Sequence, residues 1–327
     1  MYSPYNLKLE EVRDPEPYDK WVKIRVERVG ICGTDKAFYK GTYKPGKLPL
    51  IPGHEIAGVV CEVYGKELEH ILGLKVTTEI NISCEKCWFC VNDMRTHCPY
   101  RNVIGITIDG GMAEYMLTHY KVLHSIEGLS AIEGVFVEPL AAVLEMIKLK
   151  PPKPRSNIAI IGAGTVGLLS LQILRLYAPR LLVVIAREGS PKEKVAKRLG
   201  ADYFMDYKEA SEFLSKTPEK QGFDYVVEAS GSPEGLEEAL NIVRPRGIIA
   251  AKSTHGVMTS FNYTLMVVKE ITIVGSRCGP FNPAIKLLKE KLVRIKELIT
   301  HEYSLKKGEE AFKVSLSRSS IKVHIIP

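Results

Sequence analysis

The sequence predicts an α/β protein in two parts, a β-rich unit followed by a doubly wound parallel sheet. Three observations predict it. The chain has 327 residues, about twice the length of a common single core. Its first part carries short strand patterns between Gly and Pro breakers. From Ile158 the pattern changes, and short apolar runs alternate with stretches of helical periodicity.

Trp21–Val29 and Glu55–Val63 alternate in polarity or are rich in β-branched residues, and read as strands. Lys75–Ile80 and Met112–Thr118 are shorter candidates. Lys148–Asn157, Pro-rich and polar, reads as the connection into the second part. Strands then start at Ile158 (IAII), Leu181 (LLVVIA), Asp224 (DYVVEA), Gly247 (GIIAA) and Ile271 (ITIVG). Helices are expected between them over Val166–Leu176, Lys192–Leu199 and Pro233–Val243. Apolar strands separated by helices indicate a parallel sheet covered on both faces. Beyond Pro283 the chain is rich in Lys and Glu. Ile285, Leu288, Leu292 and Ile295 stand at helical spacing there, which predicts an amphipathic helix or two.

Composition excludes several classes. With 45% hydrophobic and 25% charged residues the chain is neither disordered, collagen-like nor disulfide-packed. The net charge of +7 includes no clustered basic tract, so no nucleic-acid partner is expected. The opening MYSPYNLKLEEVRDPEP has no apolar core, and the most apolar stretch, Ile158–Leu174, falls short of the roughly 20 residues that a bilayer requires. A cytoplasmic protein without a membrane partner is the expectation. Seven cysteines, an odd number, fit no disulfide framework.

Two local motifs carry chemistry. GAGTVG, Gly162–Gly167, joins the IAII strand to an apolar helix. In that context Gly162 permits the tight turn, Gly164 lets a pyrophosphate approach the backbone, and Gly167 lets helix and strand pack. The phosphates then meet the free amides of the helix start around Thr165 and Val166. The acid that this fingerprint places about 20 residues on, to bind a ribose 2′-hydroxyl, is missing. Arg187 stands there, after Ala186, with Lys192 close behind. A guanidinium suits a 2′-phosphate, which favours NADP(H). The competing reading gives the acid's role to Glu188 and the cofactor as NAD(H). The second motif is Cys84, Cys87, Cys90 and Cys98 within fifteen residues. Four thiolates at this spacing close a tetrahedral zinc shell with no open position, a structural site. His97 competes with Cys98 as the fourth ligand.

A third group is dispersed: Cys32, Thr34 and Asp35 in GICGTD, His54 and Glu55 in PGHEIAG, and Glu138 in VEPLA. One Cys, one His and one carboxylate make a three-ligand zinc site with a place left for water or an alcohol. In this order, with GGMAEY, RLGAD and VVEASG, the motifs resemble the zinc-dependent medium-chain alcohol dehydrogenases over nearly the whole chain. That family includes sorbitol, threonine and glucose dehydrogenases.

The resemblance implies a GroES-like β-rich catalytic domain with the structural zinc lobe over residues 1–140 and a Rossmann dinucleotide-binding domain over 141–277. A final segment, 278–327, would return to the catalytic domain. Two zinc ions per chain follow, one structural and one catalytic. Cys32, His54 and Glu138 would hold the catalytic ion, with Glu55 as the nearby acid that can exchange with water on it. Asp35 would hold the His54 imidazole, and Thr34 would bond the alkoxide and begin the proton path. The Glu-Pro form at Glu138 is more like the polyol, sugar and threonine branches than the ethanol-acting one. Ala37 stands where some members carry a relay histidine, and GLKV replaces the usual GDRV.

The expected activity is hydride transfer from an alcohol to NADP+, the preferred acceptor, or to NAD+. The substrate is left open among sugars and polyols, hydroxy-amino acids such as threonine, and simple secondary alcohols. A non-catalytic zinc- and nucleotide-binding relative and a zinc-independent quinone or enoyl reductase are the rival readings. Relatives pair through the last strand of the Rossmann sheet. Here that is Ile271–Arg277, apolar on both faces and without a blunting Pro, so a homodimer or homotetramer is expected.

Overall fold

The computed structural model describes residues 1–216 and 222–327. The strands are β1 (Trp21–Gly30), β2 (Glu55–Val63), β3 (Lys75–Thr78), β4 (Asn81–Ile82), β5 (Asn102–Val103), β6 (Tyr115–His119), β7 (Leu123–Ser125), β8 (Asn157–Ile161), β9 (Leu181–Ile185), β10 (Tyr203–Met205), β11 (Phe223–Glu228), β12 (Val243–Ala251), β13 (Thr272–Gly275), β14 (Ile299–Ser304) and β15 (Lys322–Ile326). The α-helices are α1 (Gly33–Lys40), α2 (Trp88–Val91), α3 (Ala131–Val135), α4 (Val137–Leu149), α5 (Thr165–Arg175), α6 (Glu193–Arg198), α7 (Tyr207–Ser215), α8 (Gly235–Ile242), α9 (Tyr263–Val268), α10 (Phe281–Lys289) and α11 (Gly308–Ser315).

Strands β14-β15-β1-β2-β3-β7 form one sheet, with β6 added along β1; β10-β9-β8-β11-β12-β13 form the second, and β4 pairs with β5. Every pairing in the second sheet is parallel. Its apolar strands feed two cores, as the sequence demanded. Ile158 and Ile160 of β8 pack with α4, α5 and α10 on one face, while Ala159 and Ile161 pack with residues of α7 and α8 on the other. From β8 the chain runs outward through β9 to β10, then returns to β11 on the opposite side. The carboxyl ends of β8 and β11 therefore flank a switch point, where α/β sheets open a crevice for ligands.

Several elements differ from expectation. The strand foreseen at Met112 begins at Tyr115, because Gly111 and Met112 donate instead to the carbonyls of Gly53 and Pro52 at 2.9 and 3.0 Å. Helix α4 runs through Lys148 to Leu149, so the connecting segment is shorter. Strand β10, three residues long, gave no readable pattern. The tail departs most. Helix α10 ends before Lys291, whose φ of 58° is left-handed, so Leu292 and Ile295 do not extend it. Strands β14 and β15 follow, and β15 pairs antiparallel with β1. KVHII was legible as an alternating strand only with a partner edge in view. Among the described residues no helix is long and apolar enough to cross a membrane.

Candidate active site and metal centres

β1 ends at Gly30, the Ile31 amide donates to Val323 on β15 at 2.9 Å, and Cys32 caps α1. Asp35, fully buried, ties this corner to the loop before β2. Its carboxylate accepts from the Cys32 amide at 2.8 Å and from the Gly53 amide at 3.4 Å. That pins His54 beside Cys32. The His54 Nδ1 is buried without a hydrogen-bond partner, 3.8 Å from Asp35 Oδ1. Burial works against a charged His54, but Asp35 and the Cys32 thiol outweigh it and hold the imidazole well above its ordinary range.

Glu138 enters from the first turn of α4 and is buried. Burial pushes its carboxyl up to about 7; Glu55 adds to the rise, while His54, Lys322 and Lys252 oppose it. Glu55 is itself buried and paired with Lys322, whose Nζ donates to Oε1 at 2.7 Å, to Oε2, and to the Ile31 carbonyl at 3.3 Å. Lys252 is tethered to the Ala142 carbonyl at 2.8 Å and to Ser276 O and Oγ at 2.9 and 3.0 Å. A thiol, an imidazole with an orphaned second nitrogen, and a buried carboxyl make a donor set that suits zinc.

The four-cysteine lobe is drawn tighter. All four sulfurs lie within 4.8 Å of one another, with Cys87 at 3.4 Å from Cys90 and 3.7 Å from Cys98. The amide of Lys86 draws the Cys84 thiol down to about 6, so a thiolate is available at neutral pH. His97 lies outside the cluster, exposed, its Nδ1 3.2 Å from the Thr96 hydroxyl. Among the described residues this is the one set of His, Cys, Asp and Glu so closely gathered. Cys32, His54 and Glu138 are not gathered so closely; Cys32 and Glu138 both lie within electrostatic reach of His54.

The glycine turn divides its labour as the sequence suggested. Gly162 has φ of 104°, and a Cβ there would stand 2.4 Å from the Ala229 carbonyl oxygen. A Cβ on Gly167 would stand 1.9 Å from the Gly162 carbonyl oxygen, so only glycine lets α5 lie on β8. A Cβ on Gly164 would meet nothing within 4 Å, so the turn faces open space there. Thr165 donates to the Ile321 carbonyl at 2.8 Å and fastens the start of α5 to the strand that carries Lys322. Val166 packs at the edge of the core. Beyond β9, Arg187 and Glu188 are exposed, and the Glu188 carbonyl accepts from Arg318 at 3.4 Å. Lys192 caps α6, partly buried.

Residues 18–128 match the family described as alcohol dehydrogenase GroES-like domain, and residues 165–290 the one described as zinc-binding dehydrogenase. A sorbitol dehydrogenase of Halalkalibacterium halodurans is 30% identical over 98% of this chain and 95% of its own. The chain belongs to the zinc-dependent medium-chain alcohol dehydrogenase family. Solved structures agree in fold with this dehydrogenase. One from Sinorhizobium meliloti, described as a zinc-binding dehydrogenase bound to NADP, is 28% identical with a TM-score of 0.88, covering 99% of this chain and 97% of its own. Another from Escherichia coli, described as a short chain alcohol dehydrogenase complexed with NADH, is 25% identical with a TM-score of 0.89, covering 100% of this chain and 97% of its own.

Sequence reasoning missed Lys322 and Lys252 as site residues of this dehydrogenase. Lys322 had a signal: in SIKVHIIP a lone lysine interrupts an apolar alternation, and a buried lysine needs a partner. Lys252 had none, because its contacts come from α4 and the segment after β13.

Proposed function

We propose that the chain is a zinc-dependent, NADP(H)-preferring dehydrogenase that oxidises a secondary hydroxyl of a sugar or polyol to the carbonyl. The observation that carries this reading is the set of partly buried Cys32 with buried His54 and Glu138, its third position a carboxylate as in the polyol, sugar and threonine branches. The Halalkalibacterium relative, named for sorbitol, supports the polyol class.

When bound, zinc supplies a Lewis acid that acidifies the substrate hydroxyl and the nicotinamide supplies the hydride acceptor. Thr34, two residues past Cys32, has a hydroxyl with no hydrogen-bond partner among the described residues, free to take the substrate proton. Asp35 orients His54 through its Nδ1 side. Lys252, held by three oxygens, presents a fixed positive charge to Glu138 and favours its ionised form. Ala37 cannot relay a proton, so the path leaves Thr34 in another direction. Glu55, held by Lys322, is the reserve carboxylate for the metal. The screen that tests the reading measures NADP+ reduction with added zinc against polyols, aldoses, threonine and short secondary alcohols. Polyols or sugars should lead by at least about tenfold, roughly 1.4 kcal/mol of discrimination; equal rates throughout, or threonine in front, would remove the polyol assignment.

Arg187 supports NADP(H), as does the NADP-bound Sinorhizobium structure, although the Escherichia structure holds NADH. Arg187 is not an isolated charge, since Glu234 and Glu238 lie within its electrostatic reach. A charge-assisted phosphate contact is worth roughly 1.5–3 kcal/mol, about tenfold to a hundredfold in affinity. With two carboxylates competing, the preference for NADPH should sit toward the lower end. Arg187→Asp should weaken NADPH by that factor and spare NADH in fluorescence titrations. A wild type that prefers NADH would hand the ribose to Glu188.

A homodimer or larger even assembly is supported by the open edge at β13. On α9, directly before β13 in the chain, Tyr263, Val267 and Val268 are exposed, apolar side chains that a monomer would leave in water. Light scattering at micromolar concentration should return at least twice the 36.5 kDa chain mass; a monomer would rule the assembly out.

A further inference from the structure

We propose that Lys36 binds the diphosphate of the dinucleotide cofactor, completing a cradle of three ammonium groups at the start of α5; this rests on the nucleotide-dependent reading above. The three come from different elements. Lys36 lies on α1, four residues past Cys32. Lys192 caps α6 just beyond β9. Lys322 follows Ile321, whose carbonyl takes the Thr165 hydroxyl at the mouth of the glycine turn. Lys36 is within electrostatic reach of both the others. Lys322 has Glu55 as its counter-ion. Lys36 and Lys192 have no ion pair and no side-chain hydrogen bond among the described residues, and both are partly buried.

Cys32 and Glu55 act favourably on Lys36 but less than Lys322 and Lys192 oppose it, so two half-buried cations without an ion-pair partner, set against a third, remain a cost to the fold. Burial, with Lys322 and Lys192 adding to it, pushes the Lys36 ammonium down to about 8. An anion between α1 and the open Gly164 turn removes that cost, and the helix start offers it unpaired amides on the other side. Lys36 and Lys192 reach this place from the β-rich part and the parallel-sheet part respectively. A diphosphate there draws the two parts together. Arg187 reads whether a 2′-phosphate is present; Lys36 would respond to the charge that NADH and NADPH share.

The test uses the zinc-loaded full chain and equilibrium fluorescence titration with NADH, NADPH, ADP and adenosine. Lys36→Gln should weaken NADH, NADPH and ADP alike, by roughly tenfold to a hundredfold, and leave adenosine unchanged. Lys36→Arg should stay within about threefold of wild type, because it keeps the charge. The salt dependence of binding should become shallower in Lys36→Gln. The melting temperature without nucleotide should hold or rise, since an unneutralised cation is removed. Equal affinities in Lys36→Gln overturn the proposal. A loss confined to NADPH overturns it too and moves Lys36 to the 2′-phosphate. A lowered melting temperature with all ligands weakened, adenosine included, makes Lys36 structural. A wild type that binds neither dinucleotide would instead sink the nucleotide-dependent reading on which this one stands.

Discussion

Cys32→Ser is expected to reduce turnover by roughly three orders of magnitude or more while the melting temperature stays near that of wild type. A metal Lewis acid is worth several kcal/mol of transition-state stabilisation, and each 1.36 kcal/mol is about a factor of ten in rate. Cys32 is only partly buried and caps α1 without a side-chain cap bond, so the oxygen replacement leaves the helix start intact. What changes is the softest donor in the set. Metal analysis should fall from two zinc ions per chain to one, because Cys84, Cys87, Cys90 and Cys98 are untouched. Turnover that survives both Cys32→Ser and chelation of the labile ion would exclude the zinc mechanism. A wild type holding a single ion, in the lobe alone, would favour a scaffold over an enzyme.

The second large effect is on stability. Lys322 and Glu55 are 2% and 1% exposed. Solvent screening therefore gives no relief to whichever charge is left behind. Lys322→Met should cost about 3–5 kcal/mol, the range for removing one partner of a buried ion pair. Glu55→Gln in the same chain should restore most of it, since the uncompensated carboxylate is gone. Urea denaturation of the two single variants, the double and the wild type closes the cycle. A single-variant loss below about 1 kcal/mol would mean that Glu55 is not held as a charge by Lys322.

How much of this was legible depended on distance along the chain. The glycine turn and the four-cysteine lobe bind their ligands with neighbouring residues, so spacing alone carried their chemistry. The parallel strands announced themselves through uninterrupted apolar runs, because both of their faces are buried. The dispersed ligands Cys32, His54 and Glu138 were legible only through their order in a familiar pattern. What escaped were pairings without a local trace. Glu55 and Lys322 are 267 residues apart, and nothing near either names the other. The tail was legible only in part for the same reason. Its helical spacing at Ile285 and Leu288 is real, but KVHII became a strand because β1 offered an edge. Lys36 likewise carries no local trace, because the charges around it come from Lys192 and Lys322, far along the chain.

The position of β15 beside β1 has a consequence for biosynthesis. The whole parallel-sheet unit, β8 through β13, is made between the strands of the sheet that hosts it. The core on its α7 and α8 face closes while the host sheet still lacks β14 and β15, whereas the other core also takes in Leu298 and Ile321 from that late segment. Until β15 emerges, Glu55 has no Lys322 and the Ile31 amide has no Val323 carbonyl. The catalytic corner, begun first, is therefore completed last. An unfinished molecule has its glycine turn but neither Lys322 nor the Ile321 carbonyl that fastens Thr165.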